Sequence, residues 1–180
     1  MRAVLDANVL FPTILREILC DVAAAGLYQP LWSARILDEW RHVAARLGPD
    51  AAAVAGAEIA LLQLRFPDAC VDPAGTVLAR DLPDPADAHV VEAALAGGAG
   101  LIVTANLRDF PRAVMAGLGL RAIHPDAFLL ELDRGVVRCA ARAAQARAAR
   151  MGGAMSMAEM LKRARLPRLS RALKGAEGEG

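Results

Sequence analysis

Apolar positions along the chain follow two periods. Unbroken runs at Ala3-Val4-Leu5 and Gly100-Leu101-Ile102-Val103-Thr104 predict buried strands. Leu27-Tyr28-Gln29-Pro30-Leu31-Trp32 and Leu120-Arg121-Ala122-Ile123 predict two more, and Val71 and Val77-Leu78-Ala79 are shorter strand-like fragments. Helical spacing fills the intervals. Ile14, Leu15, Ile18, Leu19 and Val22 share a face that stops at Gly26, with Thr13 the expected N-cap. Ser33 is placed to cap a helix with Ile36, Leu37 and Trp40 on one side, ended by Gly48-Pro49. Asp50 is the expected cap of the next helix, which runs to Arg65. A helix over Ala86–Leu95 closes at Gly97-Gly98, a short one follows Pro111, and another opens at Asp126 and runs to Leu132. Strands alternating with helices predict a three-layer α/β/α domain with a mainly parallel central sheet, covering residues 1–132.

The pattern changes after residue 132. Residues 136–150 are rich in Ala and Arg, a strong helix-forming composition that Met151-Gly152-Gly153 interrupts. Ser156 with Glu159 three positions on reads as a capping box ahead of Met157, Met160, Leu161 and Ala164, and Pro167 breaks that second helix. Residues 133–180 are therefore a helical C-terminal extension, expected to end disordered at Glu177–Gly180.

Charge sharpens that division. Of 21 Lys and Arg, 11 lie in residues 134–180 against 3 Glu, so an acidic body carries a basic tail although the net charge is only +1. Three readings of the tail stay open: RNA phosphate binding, docking of the amphipathic Ser156–Leu166 stretch on the body or on a partner, and a solvated helix pair. No apolar run reaches the roughly 20 residues that span a membrane. Met1-Arg2 leads directly into a strand and not a signal peptide, so a cytoplasmic protein is expected. Cys20, Cys70 and Cys139 match neither zinc spacing nor a disulfide framework and are expected to be small core residues.

Acidic and amide residues collect where the predicted strands end. Asp6 follows the first strand and Asn8 lies two residues on; Asn106 and Asp109 follow the Leu101–Thr104 strand. The loop Asp81-Leu82-Pro83-Asp84-Pro85-Ala86-Asp87 carries three carboxylates into its helix. In open α/β sheets, ligands bind in the crevice beyond the carboxyl ends of the strands. Asp6 is then either a metal or catalytic ligand or a turn cap. Asp87 is either a ligand or an N-cap, with Asp84 its competitor for both roles. Glu39 lies beside Leu37 and Trp40, and a carboxylate so near the core needs a cation or several donors to offset its desolvation. Crowded carboxylates raise one another's pKa, and a divalent cation with oxygen-ligand preference relieves that repulsion. His89 and His42, next to Asp87 and Glu39, are expected in packing or surface roles, Trp32 and Trp40 in the core, and His124 in a structural role.

Four segments together resemble the PIN-domain ribonucleases, and the VapC-like toxins of type II toxin–antitoxin pairs in particular. They are Val4-Leu5-Asp6-Ala7-Asn8-Val9-Leu10, Ser33-Ala34-Arg35-Ile36-Leu37-Asp38-Glu39, Asp87-Ala88-His89-Val90-Val91-Glu92-Ala93-Ala94-Leu95 and Leu101-Ile102-Val103-Thr104-Ala105-Asn106-Leu107-Arg108-Asp109-Phe110. The resemblance implies Asp6, Glu39 and Asp87 as core carboxylates that are catalytic and hold the metal. It puts Asn106 at the fourth station, with Asp109 the alternative ligand. It further implies Mg²⁺ or Mn²⁺ as cofactor and hydrolysis of an RNA phosphodiester in tRNA or rRNA, with a cognate antitoxin and a homodimer as partners. Asn8 and Thr104 are then substrate-orienting residues, though turn and strand-end roles fit them equally.

Two other functions compete. A non-catalytic PIN-fold module would bind RNA or protein without cutting it, and Asn106 keeps that reading open. An Asp-dependent phosphatase also begins with a strand ending in Asp. It needs a second Asp two positions on, where this chain has Asn8, and a downstream Lys, which residues 1–133 lack.

Overall fold

The computed structural model describes residues 1–73 and 82–174. The elements in chain order are β1 (Arg2–Leu5), α1 (Ala7–Leu10), α2 (Thr13–Ala24), β2 (Gln29–Ser33), α3 (Ala34–Ala45), α4 (Pro49–Arg65), β3 (Cys70–Val71), α5 (Ala88–Ala96), β4 (Leu101–Val103), α6 (Arg112–Gly117), β5 (Arg121–Ile123), α7 (Pro125–Leu130), α8 (Arg134–Arg150), α9 (Met157–Arg163) and α10 (Pro167–Lys174). Single 3₁₀ turns at Pro85–Asp87 and Leu107–Asp109 precede α5 and α6. The expected strand fragment Val77–Ala79, the acid Asp81 and the tail Glu177–Gly180 lie outside the described residues.

The sheet has five strands in the order β3-β2-β1-β4-β5, every neighbouring pair parallel. With its flanking helices it is the expected α/β/α fold, followed by C-terminal helices. β1 is central, pairing Val4 with Leu31 of β2 and with Ile102 of β4, and Ala3, Val4 and Leu5 are fully buried. Burial on both faces explains why β1 and β4 read as unbroken apolar runs rather than alternating ones. The chain winds outward from β1 through β2 and β3, then returns to the other side of β1 at β4. That reversal opens the crevice at the carboxyl ends of β1 and β4. At the opposite edge, Gly97 caps α5 against β2: a Cβ there would lie 2.5 Å from Leu31 Cδ1, so only glycine lets the helix end approach so closely.

Contacts group the chain into two units, Met1–Phe11 with Tyr28–Ile123, and Pro12–Leu27 with His124–Gly180. The first holds the sheet. Trp32, fully buried, meets Phe66 edge-on at 6.1 Å, and Trp40 is also buried, as expected. In the second unit α2 lies against α8, where Arg147 bonds Glu17 at 2.7 Å and Asp21 at 2.6 Å.

Local chemistry departs from expectation at several element ends. Pro12, not Thr13, precedes the first turn of α2, and Gly48 at φ +118°, not Asp50, caps α4. Pro49 supplies the preset φ of that first turn, so the Gly-Pro pair starts α4 as well as ending α3. Asp126 does not open α7. The His124 ring accepts from the Asp126 N–H at 3.2 Å, as a structural His124 should. The buried Asp126 carboxylate instead accepts from the N–H groups of Arg168 and Leu169 at 2.9 and 2.8 Å. It thus satisfies the first turn of α10, which Pro167 begins rather than breaks. The expected caps at Ser33 and at Ser156 with Glu159 are both present. Of the cysteines only Cys20 is buried; Cys70 lies on the two-residue strand β3 and Cys139 on α8, and both are exposed.

Candidate active site

Asp6 is carried to the carboxyl edge by β1, and its N–H still pairs with the Val103 carbonyl at 3.1 Å, so the backbone is anchored to β4. Its side chain is buried and makes no cap bond to α1. Oδ2 accepts from the Thr104 hydroxyl at 2.6 Å and from Asn8 Nδ2 at 2.5 Å. Asn8 also donates to Thr104 Oγ1 at 3.0 Å and accepts from the Ala105 N–H at 2.9 Å. Asn8 and Thr104 are thus engaged in fixing the Asp6 carboxylate across the β1–β4 junction. A carboxylate placed by two donors has one orientation, which is what a ligand requires.

Asp84 and Asp87 divide the two roles that the loop left open. Asp84 accepts from the Ala86 N–H at 2.8 Å and caps the turn, whereas Asp87 makes no cap bond. Released from that duty, Asp87 faces other acids. Burial, then the charges of Asp6, Asp109 and Asp84, push its pKa from 3.8 up to about 6. Burial also raises that of Asp6, helped by the Glu39 charge and opposed by the Thr104 hydrogen bond. Each carboxyl therefore senses the others, as crowded carboxylates must.

Glu39 projects from the second turn of α3 and is half-buried. Its Oε1 lies 3.1 Å from His89 Nε2. The His89 ring is buried and its Nδ1 is 2.6 Å from the Ala86 carbonyl. A carbonyl only accepts, so Nδ1 carries a proton; a lone pair on Nε2 would then face a carboxylate. Burial disfavours the imidazolium, but Glu39 and the Ala86 carbonyl outweigh it, and the His89 pKa is raised. His89 packs, as expected, but it also stands at ion-pair distance from a site carboxylate, without the angle of a hydrogen bond, a contact not anticipated for it. The available signal was its place two residues after Asp87, on a helix facing the acids.

Asp6, Glu39 and Asp87 line one cavity of about 510 Å³. Its remaining wall is formed by Ala7, Asn8 and Phe11, by His42 and Val43 of α3, and by Arg46, the residue that ends α3. Neither Phe11 nor Arg46 stood out in the sequence. At the fourth station Asp109 is the acid that reaches Asp87, while Asn106 is exposed and donates its side-chain amide to Asp109. Among the described residues, no group of three or more His, Cys, Asp or Glu is gathered so as to hold a metal ion by itself. The all-oxygen donor set nevertheless fits Mg²⁺, which keeps several waters and takes only one or two protein carboxylates directly.

A parallel sheet with its switch point beside a pocket of mutually destabilised carboxylates defines an α/β protein with an acidic crevice at the carboxyl ends of its strands. The PIN-domain family pattern matches residues 2–108, more than half of the chain, and the chain belongs to that family. PIN domains are generally metal-dependent nucleases that use divalent cations such as Mg²⁺. No curated protein and no solved structure matches the chain. Among the described residues no helix is long and apolar enough to cross a membrane.

Proposed function

We propose that the protein is a Mg²⁺- or Mn²⁺-dependent endoribonuclease of the VapC-like toxin type, acting on RNA in the cytoplasm and restrained by a cognate antitoxin. The observation that carries this reading is the convergence of Asp6, Glu39 and Asp87, from three separate elements, on one cavity. In this reading those three carboxylates hold the ion directly or through water, with Asp109 rather than Asn106 supplying the fourth. When bound, the ion neutralises charge on the phosphodiester and lowers the pKa of a water. The chain's own residues do the rest. Asn8 and Thr104 keep Asp6 in a single orientation, and His89 gives Glu39 a charge partner. Arg46, a guanidinium on the cavity wall, contacts a substrate phosphate, and Phe11 with Val43 offers apolar surface to a base. Residues 1–132 carry the chemistry and the basic residues 133–180 extend it toward RNA or the antitoxin.

The test is cleavage of structured RNA with Mg²⁺ or Mn²⁺. Cleavage is expected to be lost in EDTA and in Asp6→Asn and Asp87→Asn, with circular dichroism unchanged. Retained cleavage in those variants refutes the assignment. A second reading, a PIN-fold module that binds without cutting, is favoured by the absence of a three-ligand cluster among the described residues. It predicts RNA binding that is indifferent to both substitutions and to metal.

A further inference from the structure

The cavity wall holds an imidazole besides its carboxylates. Glu39, His42, Val43 and Arg46 all line the cavity, at the i, i+3, i+4 and i+7 spacing of one helix face. By the rise of a helix, His42 stands about 4.5 Å along the axis from Glu39 and about 6 Å short of Arg46. Its Nδ1 is 2.7 Å from the Asp38 carbonyl oxygen, one turn back on the same helix. A carbonyl only accepts, so Nδ1 carries a proton. That contact holds whether the ring is neutral or charged, and a proton that the ring gains or loses is therefore on Nε2. Among the described residues Nε2 has no partner. His42 is exposed, so water can return a proton to it.

We propose that His42 is a catalytic residue of the hydrolysis, its Nε2 giving a proton to the oxygen that leaves phosphorus. The proposal rests on the nuclease reading and adds a group to it. Hydrolysis forms a P–O bond to the water oxygen and breaks a P–O bond to a ribose oxygen. The water releases one proton to solvent. The departing alkoxide takes one from the imidazolium, and solvent protonates the ring again. The other lining residues are poor donors for that transfer. Asp6, Glu39 and Asp87 hold the ion in this reading and must be ionised to do so. Ala7, Phe11 and Val43 have no proton to give, and the Asn8 amide is engaged with Asp6 and Thr104. A guanidinium such as that of Arg46 does not deprotonate in proteins. His89 is taken up by the Ala86 carbonyl and by Glu39. Imidazole is the side chain most often used for proton transfer of this kind.

The test uses the full chain, Mn²⁺ and an RNA oligonucleotide spanning a cleavage site mapped with the wild type, made with either oxygen or sulfur as the leaving atom. A thiolate departs without a proton, so the sulfur substrate bypasses the acid. His42→Ala is expected to lower kcat on the oxygen substrate by about 100-fold, the scale of a positioned general acid, with KM changed by less than about threefold. On the sulfur substrate it should cleave within about threefold of the wild type. His42→Gln keeps a polar side chain that does not titrate and should behave as His42→Ala does. Thermal melts of both variants identify any loss of folding. A His42→Ala rate within about threefold of the wild type on the oxygen substrate overturns the proposal. An equal loss on both substrates overturns it too, since His42 would then act by structure or by holding the phosphate. Asp6→Asn should cut neither substrate. A wild type that cuts neither sinks the nuclease reading and this assignment together, whereas cutting that ignores His42 sinks this assignment alone.

Discussion

Removing one charge from the carboxylate pocket should make the metal-free protein less sensitive to pH. Asp87 titrates near 6 where an exposed aspartate titrates near 3.8, with burial the largest cause and Asp6 the largest charge. Across that interval the native state holds a proton that the unfolded chain has released. Stability therefore falls as pH rises from about 4 to about 6, then levels off. A rise from 3.8 to about 6 would amount to about 3 kcal/mol for a fully desolvated group, and because Asp87 is partly exposed, solvent screening reduces this to about 1–2 kcal/mol. Asp6 adds to the same trend, since its pKa is also raised. Asp6→Asn keeps an oxygen for Thr104 and Asn8 while removing the charge. The Asp87 pKa should then fall, yet stay above 3.8, because burial and the charges of Asp109 and Asp84 remain. Urea unfolding in EDTA at several pH values between about 4 and 7 gives the slope, and carboxyl NMR gives the Asp87 titration directly. Adding Mg²⁺ should abolish the loss of stability at neutral pH in the wild type and do less in the variant. If Asp87 titrates near 4, or if Asp6→Asn reproduces the wild-type slope, the carboxylates do not share a pocket electrostatically and the site reading fails.

Two further predictions follow from single contacts. Asp126→Ala leaves the N–H groups of Arg168 and Leu169 at the start of α10 without their buried acceptor, and should cost about 2–3 kcal/mol in urea unfolding; a loss under about 1 kcal/mol would show that water replaces it. Asp109→Asn should reduce RNA cleavage and weaken Mn²⁺ binding in calorimetry far more than Asn106→Ala, because Asp109 is the residue that faces Asp87; the reverse order would return the fourth position to Asn106.

Much of the fold was legible because its signals are local. β1 and β4 announce themselves as buried runs, Ser33 and Ser156 lie within three residues of the N–H groups they cap, and parallel order follows from alternation. The three carboxylates that line the cavity, Asp6, Glu39 and Asp87, lie in segments the sequence singled out. What the sequence left open was which of several chemically equivalent residues takes which task. Asp84 and Asp87 are the same side chain three residues apart, and only the backbone path of the 3₁₀ turn makes one a cap and the other a member of the pocket. Asp126 looks like the start of its own helix, but its carboxylate serves a helix some 42 residues further on.

The sequence by itself determined the class of the domain, the order of its elements and the acids available for chemistry, since each depends on periodicity and on neighbours a turn away. Tertiary structure alone decided the pairings: Thr104 and Asn8 on Asp6, His89 on Glu39, and Asp109 against Asp87. Hydrogen bonds and charge repulsion act over a few ångströms of space, and a linear pattern carries no record of which distant residues the β1–β4 crossover brings within that range.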